Sequence, residues 1–131
     1  MKKCYFCHVA KKKIDLFLEN SICYAMDDAA PVNPGHKIIF LKKHVESFFD
    51  ARPDEFQELS KFIISVKDKL NRKYHPDGYT IGINEGRAAG RSIDHLHIHL
   101  IPRYFGDVKN PRGGVRNVMD KRIPPKIPKK I

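Results

Sequence analysis

The sequence holds only three cysteines among its 131 residues. Three thiols do not make a complete disulfide framework, so a scaffold stapled by several bridges is excluded. Long apolar runs are also missing: none approaches the roughly 18 residues that a membrane span needs. The opening "MKKCYFCHVAKKK" is basic but carries no apolar signal core, so no export is expected and the thiols are expected to be reduced in the cytoplasm. Acidic residues are scarce beside basic ones, 15 against 25, which gives a formal charge of +10. That balance favours anionic partners such as nucleotides, polyphosphates or nucleic acid.

What is present fits one globular domain with one core, at 41% hydrophobic content. Much of the excess charge sits at the two ends, at Lys2, Lys3 and Lys11 to Lys13, and again at Lys121, Arg122, Lys126, Lys129 and Lys130. Solvated termini explain these clusters without a binding site. "SICYAM" (21–26), "KIIFLK" (37–42) and "YTIGIN" (79–84) read as strands, and "HVESFFD" (44–50) as a short helical turn. Pro31, Pro34 and Gly35 mark a turn-rich loop between the first two strands. Pro53 opens the clearest helix, with Asp54 and Glu55 at its positive end. Phe56, Leu59, Ile63, Val66 and Leu70 form its buried stripe, and Pro76 and Gly78 stop it. The segments 85–92 and 103–117 read as loops. This order of elements predicts an α+β fold.

The segment "DHLHIHLIPR" (94–103) carries three histidines at alternate positions. On a strand, His95, His97 and His99 share one face, and Leu96, Ile98 and Leu100 the other. A polar face that happens to use histidine is the plainest reading. One metal bound by all three is disfavoured, because strand residues two apart are separated by about 6.6 Å and four apart by about 13 Å. A third reading divides the labour among a structural, a reactive and an assisting imidazole. A second group is Cys4-Tyr-Phe-Cys7, whose spacing supplies half of a tetrahedral zinc site. A redox pair is the alternative, although no thioredoxin-like context surrounds it.

"PGHKIIFLKKH" (34–44), "GINEGRAAGRS" (82–92), "HLHIHLI" (95–101) and "IPRY" (101–104) occur in the order found in histidine triad (HIT) nucleotide hydrolases and transferases. The chain resembles that family from residue 4 to about residue 116, and "NPRGGVRN" resembles the ending of bacterial diadenosine polyphosphate hydrolases. The resemblance implies a histidine triad fold: an antiparallel sheet with one main helix and a short helix, continued across a homodimer. It places a domain at 1–116 and a basic, proline-rich tail at 117–131. It assigns the nucleophile to His97, with His99 and Ser92 assisting catalysis. Asn84, Gly90, Arg91, Ser92 and His99 would surround the phosphates. Asp28, with Asp27 as its competitor, would hold the ribose, and His36 would lie nearby. Phe6, Ile22 and Met26 are the apolar candidates for the base pocket. A structural zinc would be held by Cys4, Cys7, His44 and His95, with His8 as a rival ligand and Cys23 simply buried.

The implied activity is attack on the α-phosphate of a dinucleoside polyphosphate, through a nucleotidyl-histidine intermediate. Hydrolysis of nucleoside phosphoramidates and nucleotide binding without turnover are the alternatives. A nucleotide substrate is the expected partner; a membrane and nucleic acid are not.

Overall fold

The strands expected from the alternating segments form in a computed structural model that describes residues 3–119. Their ends shift by about two residues, the usual latitude at element boundaries. The sheet is built from β1 (Leu16–Glu19), β2 (Cys23–Asp27), β3 (Lys37–Leu41), β4 (Gly78–Gly82) and β5 (His97–Arg103). All neighbours pair antiparallel, in the order β1-β2-β3-β5-β4. Helices α1 (Tyr5–Lys12) and α2 (Pro53–Tyr74) complete the α+β fold. Among the described residues no helix is long and apolar enough to cross a membrane.

Register decides which side chains share a face. Phe40 lies opposite His97 and Ile38 opposite His99, while Tyr24 and Met26 lie opposite Phe40 and Ile38. These residues therefore stand on the histidine face. Phe6, Val9 and Ala10 of α1 close over its apolar part. The other face carries Cys23, Ala25, Ile39, Leu41, Leu96, Ile98 and Leu100 against α2. The triad's alternation thus divides the strand between a core and a polar cleft.

The α2 stripe is Glu55, Leu59, Phe62, Val66 and Leu70, one residue per turn on a 3.6-residue period. Phe62 takes the place in the stripe expected of Ile63, and Phe56 and Ile63 pack at the margin. The Glu55 carboxylate accepts the Arg52 backbone N–H at 2.9 Å, which satisfies a donor at the helix start. Leu70 is fully buried, so its truncation to alanine would cost about 2–5 kcal/mol.

The expected turn near 44–50 is a single 3-10 turn at Phe48–Asp50. The segments read as loops also contain 3-10 turns, at Arg87–Ala89 and Gly114–Asn117. Gly35 holds φ at 90°, and a Cβ there would meet Pro102 at 3.0 Å and Tyr74 at 3.1 Å. Glycine is therefore required where the loop before β3 passes under α2 and β5. From residue 120 onward the expected basic tail lies outside the described residues.

Two elements, α1 and β1, were not predicted. The α1 segment is short and ends in lysines, and only Phe6, Val9 and Ala10 are buried. Its stripe is one turn long, too brief to register as a period.

Candidate active site

Cys4 and Cys7 sit at the start of α1, where Cys4 is the N-cap and its sulfur accepts the Cys7 backbone N–H. His44 follows β3 and His95 precedes β5. The fold brings these four side chains together, with one donor atom from each lying within 4.8 Å of the others. His95 Nδ1 is 3.2 Å from the Cys4 sulfur and 3.6 Å from that of Cys7, and His44 Nδ1 is 3.5 Å from Cys7. A tetrahedral zinc bound at about 2.3 Å by sulfur and about 2.0 Å by nitrogen sets such pairs roughly 3.6 Å apart. The residues therefore fit a closed four-ligand metal centre.

The buried His95 donates its Nε2–H to the Leu41 carbonyl at 2.7 Å, which leaves Nδ1 as the free lone pair turned to the cysteines. Burial pulls its pKa down to about 4, so the ring stays neutral as a ligand must. Burial and then Cys4 push the Cys7 thiol up to about 11, so an incoming cation must expel that proton. The rival ligand His8 is exposed and stands outside the group.

His97 begins β5 and is 8% exposed. Its Nδ1 lies 2.8 Å from the His95 carbonyl oxygen. A carbonyl only accepts, so Nδ1 carries the proton and Nε2 carries the lone pair. Phe6 packs at 4.9 Å from the ring centre and fixes its plane.

A second cluster lies behind it. His36 Nδ1 accepts the Val32 backbone N–H at 3.2 Å. The neutral ring must then carry its proton on Nε2, which lies 2.9 Å from His99 Nδ1. His99 Nδ1 is thus an acceptor, and the His99 proton resides on Nε2. Asp28 Oδ2 sits 3.3 Å from His36 and 3.4 Å from His99. Burial lowers the pKa of both rings, with Asp28 opposing it, which keeps them neutral near pH 7. Asp28, His36 and His99 are also close enough to share a cation, but the tautomer leaves no lone pair on His36 Nε2 to give one.

One cavity of about 320 Å³ joins Asp28, Asn84, Gly90, Ser92, His97 and His99 over Phe6, Met26 and Ile38. Gly90 takes φ of 98°, and a Cβ there would meet open space, so the conformation demands glycine and the backbone is bare on that side. Asp27 is not part of this cleft; its carboxylate pairs with the buried Lys37 ammonium. Ile22 packs on the α2 face instead. His36 is buried behind His99 and does not line the cleft.

Arg91 also stands apart. Its guanidinium reaches the Glu46 carbonyl and carboxylate at 3.2 Å, Glu85 at 3.3 Å and Asp94 at 3.3 Å. Glu85 in turn accepts the Phe48 N–H at 2.7 Å. Arg91 therefore anchors the loop that carries Asn84 and Ser92, with its charge satisfied away from the cleft. Glu46 and Glu85 come from separate loops, so no local pattern signals their meeting at Arg91.

The HIT domain family matches residues 10–106. An uncharacterized HIT-like protein of Methanocaldococcus jannaschii is 40% identical over 120 residues, covering 88% of this chain and 91% of that protein. The bis(5'-adenosyl)-triphosphatase of Dictyostelium discoideum is 29% identical, covering 84% and 74%. The adenosine 5'-monophosphoramidase of Saccharomyces cerevisiae is 33% identical, covering 76% and 62%. Among solved structures, a HIT family protein of Bacillus anthracis aligns with a TM-score of 0.75 at 26% identity, covering 81% and 77%.

Proposed function

This chain belongs to the HIT domain family, and we propose that it is a nucleotide hydrolase or transferase that works through a nucleotidyl-histidine. The observation that carries this reading is the His97 ring. Its Nδ1–H is held by the His95 carbonyl, and it lines a cleft shared with Asn84, Ser92 and His99. The Nε2 lone pair attacks the α-phosphorus of a dinucleoside polyphosphate such as diadenosine tetraphosphate. The N–P bond forms as the P–O bond to the departing group breaks. His99 Nε2–H donates to a phosphoryl oxygen as charge builds there. Asn84 and the Gly90 backbone hold the phosphate, and the Ser92 hydroxyl hydrogen-bonds to the departing oxygen. Water then cleaves the N–P bond and releases a nucleoside monophosphate. Asp28 faces the ribose and Met26 the base.

Cys4, Cys7, His44 and His95 would hold a zinc ion. That set has no open position, so the ion would fasten the N-terminus and not activate water. Among the described residues the β4 edge pairs with no further strand, which supports a homodimer that continues the sheet. Free thiols suit the cytoplasm.

A nucleoside phosphoramidate is the second substrate class, because the same attack serves a nitrogen leaving group and one relative bears the name adenosine 5'-monophosphoramidase. The test is rapid acid quench with labelled diadenosine tetraphosphate and adenosine phosphoramidate, followed by peptide mass spectrometry. A nucleotidyl adduct on His97 is the expected result. Turnover with no adduct, or with one elsewhere, overturns the reading; binding without turnover makes the protein a nucleotide sensor.

A further inference from the structure

A second cavity, of about 400 Å³, adjoins the cleft and shares Tyr5, Ser92 and Ile93 with it. Beyond that shared wall it is lined by Lys3, Arg87, Glu46 and Asp94, and its floor is formed by Cys4 and His44 of the metal group. We propose that this chamber receives the departing half of a dinucleotide, a nucleoside polyphosphate, and that Lys3 and Tyr5 recognise it. The proposal rests on the reading of His97 as nucleophile.

In-line displacement puts the departing oxygen on the side of phosphorus opposite the attacking nitrogen. Ser92 belongs to both cavities, so a bond broken beside it releases its far half into the second one. The volume falls within the roughly 300–1,000 Å³ of small-molecule sites. Ammonia leaving a simple phosphoramidate would not need such a space.

Charge fits the same occupant. The chamber's two carboxylates are both matched: Asp94 pairs with Arg87 at 2.7 Å, and Glu46 with Arg91 at 3.2 Å. Lys3 has no ion-pair partner among the described residues. With Arg91 and Glu85 counted, three cations face three carboxylates and the region is neutral overall; Lys3 is the cation among them that no carboxylate holds, and it can turn to the phosphates of the leaving half. Tyr5 is 47% exposed at the boundary of both cavities, where an aromatic face can stack a base.

The experiment compares kcat/KM for diadenosine tetraphosphate with that for adenosine phosphoramidate, in the full chain and in its Lys3→Glu, Lys3→Arg and Tyr5→Ala variants. Lys3→Glu and Tyr5→Ala are expected to lower the ratio of the first to the second about tenfold, and Lys3→Arg to restore it. Lys3 lies outside α1, so its variants keep the test open if Tyr5→Ala fails to fold. A ratio unchanged by both Lys3→Glu and Tyr5→Ala overturns the chamber. If the wild type turns over neither substrate, the nucleophile reading fails instead. The chamber is then judged by titration: tetraphosphate should bind about tenfold tighter than adenosine monophosphate, and Lys3→Glu should erase the difference. Equal binding overturns it.

Discussion

The carbonyl oxygen of His95 accepts the Nδ1–H of His97 at 2.8 Å, so one residue turns its ring to the cysteines and its backbone to the neighbouring imidazole. This orients the Nε2 lone pair of His97. His97→Asn is expected to lower turnover at least about 10³-fold while nucleotide affinity, read by calorimetry, stays near that of the wild type. A folded variant with undiminished turnover would remove His97 from the mechanism.

His36 is expected to act on His99 and not on the substrate. Its Nε2–H occupies His99 Nδ1 at 2.9 Å. His36→Phe deletes that donor and should lower kcat about tenfold with a smaller change in KM. His36→Gln, whose amide can donate, should recover most of the loss. Ring ¹⁵N shifts of His99 check the cause, since the phenylalanine variant should populate the other tautomer and the glutamine variant should not. A purely structural role would leave those shifts alone.

Metal analysis of the purified protein should find one zinc per chain. Cys4→Ser should lose it and lower Tm by about 10 °C, the shift that roughly 3 kcal/mol produces in a domain of this size. The surviving folded fraction should still form the His97 adduct. A wild type free of zinc would refute the assignment of Cys4, Cys7, His44 and His95.

Acid sensitivity should depend on Asp107. The Arg103 guanidinium first, then the Tyr104 N–H, hold its carboxyl well below the usual carboxylate range. A depressed pKa stabilises the fold at pH values above the unfolded value of about 3.9, and that stability fades as pH falls below it. Asp107→Asn should therefore lower Tm at neutral pH and flatten its decline between about pH 5 and pH 2. Parallel curves for the two proteins would contradict this.

The residue pattern predicts most of this architecture because the continuous apolar run in 37–42 reflects burial on both faces of β3, and the alternation in 95–101 reflects a strand with one apolar face. Of the group Cys4, Cys7, His44 and His95, the cysteine spacing announces only the first half; the two histidines come from the family resemblance, and the fold brings all four together. Helix α1 escaped because three buried residues do not make a period. The preference for Asp28 over Asp27 comes from its spacing to His36; in the fold Asp28 lines the cleft, while Asp27 pairs with the buried Lys37. Arg91 looked like a phosphate ligand until the loops bearing Glu46 and Glu85 folded against it. Such clusters form between segments far apart in sequence, where no local pattern signals them.

The segment carrying Asn84 and Ser92 is tethered by opposite charges, several of them wet: Glu46 is 54% exposed and Arg87 69%. The sheet beneath is held by dry aliphatic contacts. Dissolved ions weaken the first kind of bond and spare the second, since the Debye length is only about 8 Å at physiological ionic strength. Rising salt should loosen this segment long before it melts the body of the protein, so ionic strength acts on the rim of the cleft rather than on the fold.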